Sequence, residues 1–221
     1  MSGFSVDELL QKDFSPRTRS QLVFTINEGY RLLDEEIQKA DFLKEESARK
    51  SYGHLRNTMI DIVTKKQIEL GNLPFSYRQE KVRGYTYIVL QSKFADLTIS
   101  KVQTPSGLPP KAKNRGFRSQ KNNQLHSQLD IFNLEEELKQ KLVRPNDYYV
   151  ILTHGGTQLD KPSFIRLGAI DESQNHWIGQ QLDLTNVFTM VQTPSKKQDD
   201  DDIKLEFRKI VRDQNKNAEG E

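Results

Sequence analysis

Residues 85–102 read YTYIVLQSKFADLTISKV, and this stretch decides the fold. Aromatic and β-branched residues crowd Tyr85 to Leu90. From Phe94 to Val102 the chain alternates, with Phe94, Asp96, Thr98 and Ser100 set against Ala95, Leu97, Ile99 and Lys101. That composition and a period of two belong to strands. The short connection at Gln91 to Lys93 makes the two strands antiparallel neighbours.

The pair feeds TPSGLPPKAKNRGFRSQKNN, a loop read over 103–124, in which Pro105, Gly107, Pro109 and Pro110 exclude regular structure from the first half. No Asp or Glu stands between Asp96 and Asp130, whereas Lys101, Lys111, Lys113, Arg115, Arg118 and Lys121 all fall there. A loop of about 20 residues is long for a compact domain, and such loops are usually functional or mobile.

Upstream of the strands the period is helical. Ser5 and Glu8 form a capping box, and Ser15-Pro16 caps and starts a second helix. Leu22, Ile26, Tyr30, Leu33 and Ile37 share one helix face, and Tyr52, Leu55, Met59 and Ile62 resume the spacing until Gly71 and Pro74 stop it. Gly53 is read as a bend between two helices. The acids and bases of 34–50 form a solvated outer face.

Downstream, Asn133-x-x-Glu136 opens and Arg144-Pro145 closes a helix read over 133–143. DYYVILT and SFIRLGAI form a second β-ribbon around HGGTQLDKP, and His176 to Ile178 and Leu182 to Val191 add one or two strands. PSKKQDDDD is a linker, and IKLEFRKIVRD is an amphipathic helix with Asp199 to Asp202 at its favourable N-terminal end. The acidic run is read as a helix start, with a sharper option that it folds back over the basic loop.

The fold expected is therefore α+β: N-terminal amphipathic helices on a mostly antiparallel sheet of four to six strands, with a C-terminal helix. Its sections are a helical one (1–74), a sheet region with the basic loop and an inserted helix (75–194), and a linker with a helix (195–221), together one cooperative domain.

Composition bounds the function. The 221 residues include 34% hydrophobic and 29% charged, enough apolar residues in periodic segments to fold. The net charge of +2 makes any basic surface a local matter. There is no cysteine, which excludes disulfides and thiolate chemistry, and no apolar run approaches a membrane span. The expectation is a cytoplasmic protein with no membrane partner.

Lys111, Lys113, Arg115, Arg118 and Lys121, interleaved with Asn114, Gly116 and Phe117, bring phosphate-pairing cations together with a stacking aromatic. Contact with a DNA or RNA backbone needs that mixture. The plainer reading is a solvated loop whose lysines aid solubility. The sequence favours a non-catalytic binding or regulatory protein that contacts nucleic-acid phosphates. An acidic protein partner, a homo-oligomer or an assembly subunit stands as the alternative.

A third reading is enzymatic. The strand YIVL ends in Gln91-Ser92-Lys93, which resembles the Gln-x-Lys variant of PD-(D/E)xK-type nucleases, although no Pro-Asp pair precedes it. The resemblance implies Gln91, Lys93 and Asp96 as site residues, with Glu69 and Glu80 as further carboxylates and Mg²⁺ as cofactor. Without it no cofactor is expected. His54, His126, His154 and His176 are too scattered for a local metal site; THGGT reads as a hairpin turn, and Trp177 as a core residue ahead of a recognition aromatic.

Overall fold

A computed structural model describes residues 5–82, 85–125, 148–187 and 197–218. The expected helix at 133–143 and residues Arg83 and His126 lie outside the described residues.

The N-terminal caps form as the sequence dictates. The Ser5 hydroxyl accepts the Glu8 N–H at 3.2 Å while the Glu8 carboxylate accepts the Ser5 N–H at 3.1 Å, starting α1 (Val6–Asp13). Ser15 accepts the Thr18 N–H, and Pro16 opens α2 (Pro16–Lys39). Two single turns follow, α3 (Asp41–Lys44) and α4 (Glu46–Arg49), and then α5 (Tyr52–Glu69). The bend read at Gly53 falls elsewhere: the breaks come at Ala40, Glu45 and Ser51, and Gly53 is already inside α5. Leu43 is the one buried residue described between Ala40 and Ser51, so no apolar stripe holds this stretch as a single helix. Gly71, at φ +73°, ends the last turn, and the Asn72 N–H returns to the Gln67 carbonyl at 2.9 Å.

Among the described residues six strands form one sheet in sequence order: β1 (Ser76–Val82), β2 (Tyr85–Gln91), β3 (Ala95–Lys101), β4 (Tyr148–Gly155), β5 (Phe164–Ile170) and β6 (Trp177–Asp183). Neighbours are antiparallel except β3 and β4, which run parallel from Ala95↔Tyr148 to Lys101↔His154. A parallel pair needs a crossover. The chain makes it through the basic segment, which is less irregular than its reading: α6 (Lys113–Ser119) and a 3₁₀ turn (Gln120–Gln124) occupy its second half. The prolines end at Pro110, so nothing after it bars helix.

Period-two alternation divides the core. Leu97, Val150, Leu152, Ile165 and Leu167 face one way and bury against Leu9, Leu22, Ile26 and Ile60 of α1, α2 and α5. Tyr149, Ile151 and Ile170 face the other way and pack with Leu108 and Trp177. Trp177 is half-buried there, its indole N–H donating to the Ser106 carbonyl at 3.1 Å.

A second apolar cluster joins α2 and α5 to α7 (Lys197–Ala218) through Leu33, Met59, Ile62, Ile203 and Phe207. The acidic run does not cover the basic loop. Asp199 pairs with Lys66 at 3.2 Å and Asp200 with Arg31 at 2.8 Å, because burial of Ile203 and Phe207 docks its helix on α2 and α5. The fold is α+β, and among the described residues no helix is long and apolar enough to cross a membrane.

One carboxyl in this frame is uncomfortable. Burial pushes Asp61 of α5 up to about 7, against the backbone N–H of Ile88 and the charge of Lys65. Because its folded pKa lies above its unfolded one, the fold favours the protonated acid and loses that preference as pH rises from about 4 to 7. Asp61→Asn should therefore raise Tm at pH 8, with the gain shrinking on acidification and absent near pH 4. Equal gains at both pH values would show that ionisation of Asp61 is not the cause.

Candidate nucleic-acid interface

The basic segment rests on the second face of the sheet, and ionic contacts tie it there. Strand alternation places Arg78 and Glu80 of β1, Tyr87 of β2 and Asp96 of β3 on that face, with Glu80↔Tyr87 and Gln91↔Asp96 as cross-strand partners. Arg78 grips Asp96 with two N–H groups, at 3.2 Å and 2.9 Å, and reaches Glu80 with its Nε at 3.0 Å. Lys121 donates to Asp96 at 3.0 Å. Arg118 donates to Glu80 and, at 3.2 Å, to the Tyr87 hydroxyl, which itself donates to Glu80 at 3.0 Å.

Two carboxylates thus hold three cations. The Asp96 side chain is 1% exposed, and burial alone would raise its pKa. Arg78 and Lys121 outweigh burial and keep it below the usual carboxylate range. At Glu80 burial also pushes upward, and Arg118, Arg78 and Tyr87 overcome it, lowering the pKa to about 2.

Asn122 completes the anchoring. It is fully buried; its amide N–H₂ donates to the carbonyls of Tyr149 at 2.7 Å and Ile170 at 2.9 Å, and its carbonyl accepts the Tyr149 N–H at 2.8 Å. The crossover is thereby stitched to the backbone of β4 and β5.

The six cationic and aromatic residues read from the sequence separate into two sets. Arg118 is buried and paired, and Lys121 is one-third exposed on Asp96. Lys111, Lys113 and Phe117 are exposed, Phe117 by 75%, and Arg115 is half-buried, donating to the Pro110 carbonyl and the Ser100 hydroxyl. Lys113, Asn114 and Phe117 stand at i, i+1 and i+4, one face of α6, and that face is turned to solvent.

The Gln-x-Lys residues lie at the β2–β3 turn. Gln91 and Asp96 are opposite each other, while the Lys93 ammonium sits 4.9 Å over the Phe94 ring. The turn itself is pinned to α1, where Asp13 accepts the Lys93 N–H at 3.1 Å and the Ser92 hydroxyl. Any ion at Asp96 would compete with Arg78 and Lys121. Among the described residues no three His, Asp or Glu side chains gather to hold a metal.

Arg78 and Tyr87 carry no site signal in the sequence beyond the period-two alternation of β1 and β2. That signal gives a face and no partner. The chain matches no protein-family model, no curated protein and no solved structure.

Proposed function

We propose that the protein binds the phosphate backbone of nucleic acid through the outer face of α6 and the loop leading into it, without catalysing a reaction. The observation that carries this reading is the exposure of Phe117 on the same helix face as Lys113 and Asn114, just after Lys111. Phe117, 75% exposed, presents its ring to solvent with cations close by in the same segment, and single strands are bound by such stacking platforms. Lys111, Lys113 and Arg115 supply the phosphate contacts. Arg118 and Lys121, engaged with Glu80 and Asp96, hold α6 on the sheet.

The test is fluorescence anisotropy with single-stranded DNA, single-stranded RNA and duplex across a salt series. Lys111→Glu with Lys113→Glu and Arg115→Glu should weaken binding at least tenfold and lower the slope of log K against log salt by about 2. Phe117→Ala should cost about 1–3 kcal/mol on single strands and much less on duplex. No binding by the wild type at low salt ends the proposal. Retained binding in the triple variant moves the interface elsewhere.

A further inference from the structure

At the C-terminal ends of β3 and β4, on the helix-covered face of the sheet, basic groups meet without an acid. His154 is fully buried and sits beside Lys101, its register partner. Its ring meets Tyr30 of α2 edge-on, with centroids 5.6 Å apart and Nδ1 3.0 Å from the Tyr30 hydroxyl. The guanidinium of Arg56, on α5, lies 4.3 Å from the centre of the Tyr30 ring. Arg56 is only 2% exposed, and neither it nor Lys101 has a carboxylate partner among the described residues.

The hydrogen bonding fixes the rest. The Tyr30 phenol is hydrogen-bonded to both Arg56 and Nδ1 of His154; a guanidinium can only donate, so the phenol oxygen accepts from Arg56 while its proton goes to Nδ1, and the imidazole proton resides on Nε2. The opposite tautomer would orphan both the phenol proton and Nε2. Nε2 is buried without a partner, as is Nε of Arg56. Burial first, and then Arg56 and Lys101, push the His154 pKa down to about 3, so the ring is neutral and serves as a donor. Among the described residues every free polar group here donates and none accepts. A buried arginine without an anion is costly, and a half-buried second cation beside it adds to the cost.

We propose that Arg56, Lys101 and the Nε2–H of His154 form a binding site for a small tetrahedral oxyanion, a phosphate or phosphomonoester group, at the joined ends of β3 and β4. Arg56 and Lys101 match its two negative charges, and Nε2–H gives a directed hydrogen bond. Tyr30 is a positioning residue that sets the tautomer. Lys101, the most exposed of the three, stands toward solvent.

The experiment is thermal melting in phosphate against chloride at matched ionic strength, paired with long-range ¹H–¹⁵N NMR of the histidine ring. Beyond the dissociation constant, each tenfold rise in inorganic phosphate should raise the wild-type Tm by about 3–6 °C. The His154 ring signals should move saturably over the same range. Lys101→Met should weaken phosphate binding at least tenfold yet melt no lower than wild type in chloride, because the ammonium it removes has no counter-charge there. Arg56→Met should behave likewise if it folds.

A 5′-phosphorylated oligonucleotide that shifts the His154 signals more than its 5′-hydroxyl twin identifies the group as a nucleic-acid end; saturation by inorganic phosphate alone identifies a free ion. Identical melting and spectra in phosphate and chloride overturn the site, as does full phosphate dependence in Lys101→Met. Neither result bears on the α6 interface, which is read by oligonucleotide affinity in the Lys111, Lys113 and Arg115 variants.

Discussion

Asp96→Ala is expected to lose about 2–3 kcal/mol of stability, read as a fall in the urea midpoint at an unchanged m-value. The carboxylate is 1% exposed and accepts from Arg78 twice and from Lys121 once. Its removal takes away all three charge-assisted bonds, while Arg78 keeps Glu80 and both cations, each about a third exposed, regain water. Asp96→Asn keeps the shape and should fall between the two.

Acid should act on the same cluster. Asp96 and Glu80 both have folded pKa values below their unfolded ones, Glu80 at about 2, so their contribution is complete above about pH 5. It is lost as pH falls from about 4.5 toward 2. In Asp96→Ala the stability-versus-pH curve should be shallower through that window. A variant that melts like the wild type at pH 7, or a slope unchanged by the mutation, would show that the ionic cluster does not hold α6.

Gly155→Ala is the second large effect, expected at about 3 kcal/mol of destabilisation. A Cβ at Gly155 would fall onto the Val102 carbonyl oxygen, well inside contact distance, and 2.6 Å from Cζ of Phe164. The Val102 backbone cannot retreat, because its N–H is bound to the His154 carbonyl at 2.9 Å, nor can Gly155, whose own carbonyl accepts the Ser163 N–H at 2.7 Å. Gly53→Ala is the internal contrast. Nothing lies within 4 Å of a Cβ there, and the residue is helical, so the change should stabilise by about 0.5–1 kcal/mol. Equal and small effects at both sites would mean that the ends of β3 and β4 are looser than their hydrogen bonds imply.

Legibility followed how local each feature was. The capping box at Ser5 and Glu8, the Ser15-Pro16 start and the left-handed stop at Gly71 concern groups within five residues of one another, and each appears where it was read. The strands from Tyr85 to Lys101 were equally plain, because a period of two needs no knowledge of the partner. The helix in the basic segment was not legible. Its residues have no apolar stripe, and it is held by Arg118 on Glu80, Lys121 on Asp96 and Asn122 on the β4 and β5 backbone, contacts that span 25 to 48 residues.

Charge was read worst of all. A run of cations without acids looked uniformly available, yet Arg118 and Lys121 are engaged with carboxylates from strands far upstream, while Lys111, Lys113 and Phe117 face solvent. The acidic run is a helix start, as its position before an amphipathic stretch indicates, and the sharper option of a cover for the loop fails because Ile203 and Phe207 fix which side of the molecule it joins.

The amino-acid order by itself determined the long helices and their N-terminal caps, the strands, and the absence of thiol chemistry, because backbone propensity, periodicity and composition act over a few residues. Only the tertiary structure decided that β3 and β4 run parallel, which cations are neutralised, and that Arg56, Lys101 and His154 gather with no acid among the described residues. Those outcomes depend on which faces of distant elements the buried apolar side chains bring together, and that is a property of the packed core.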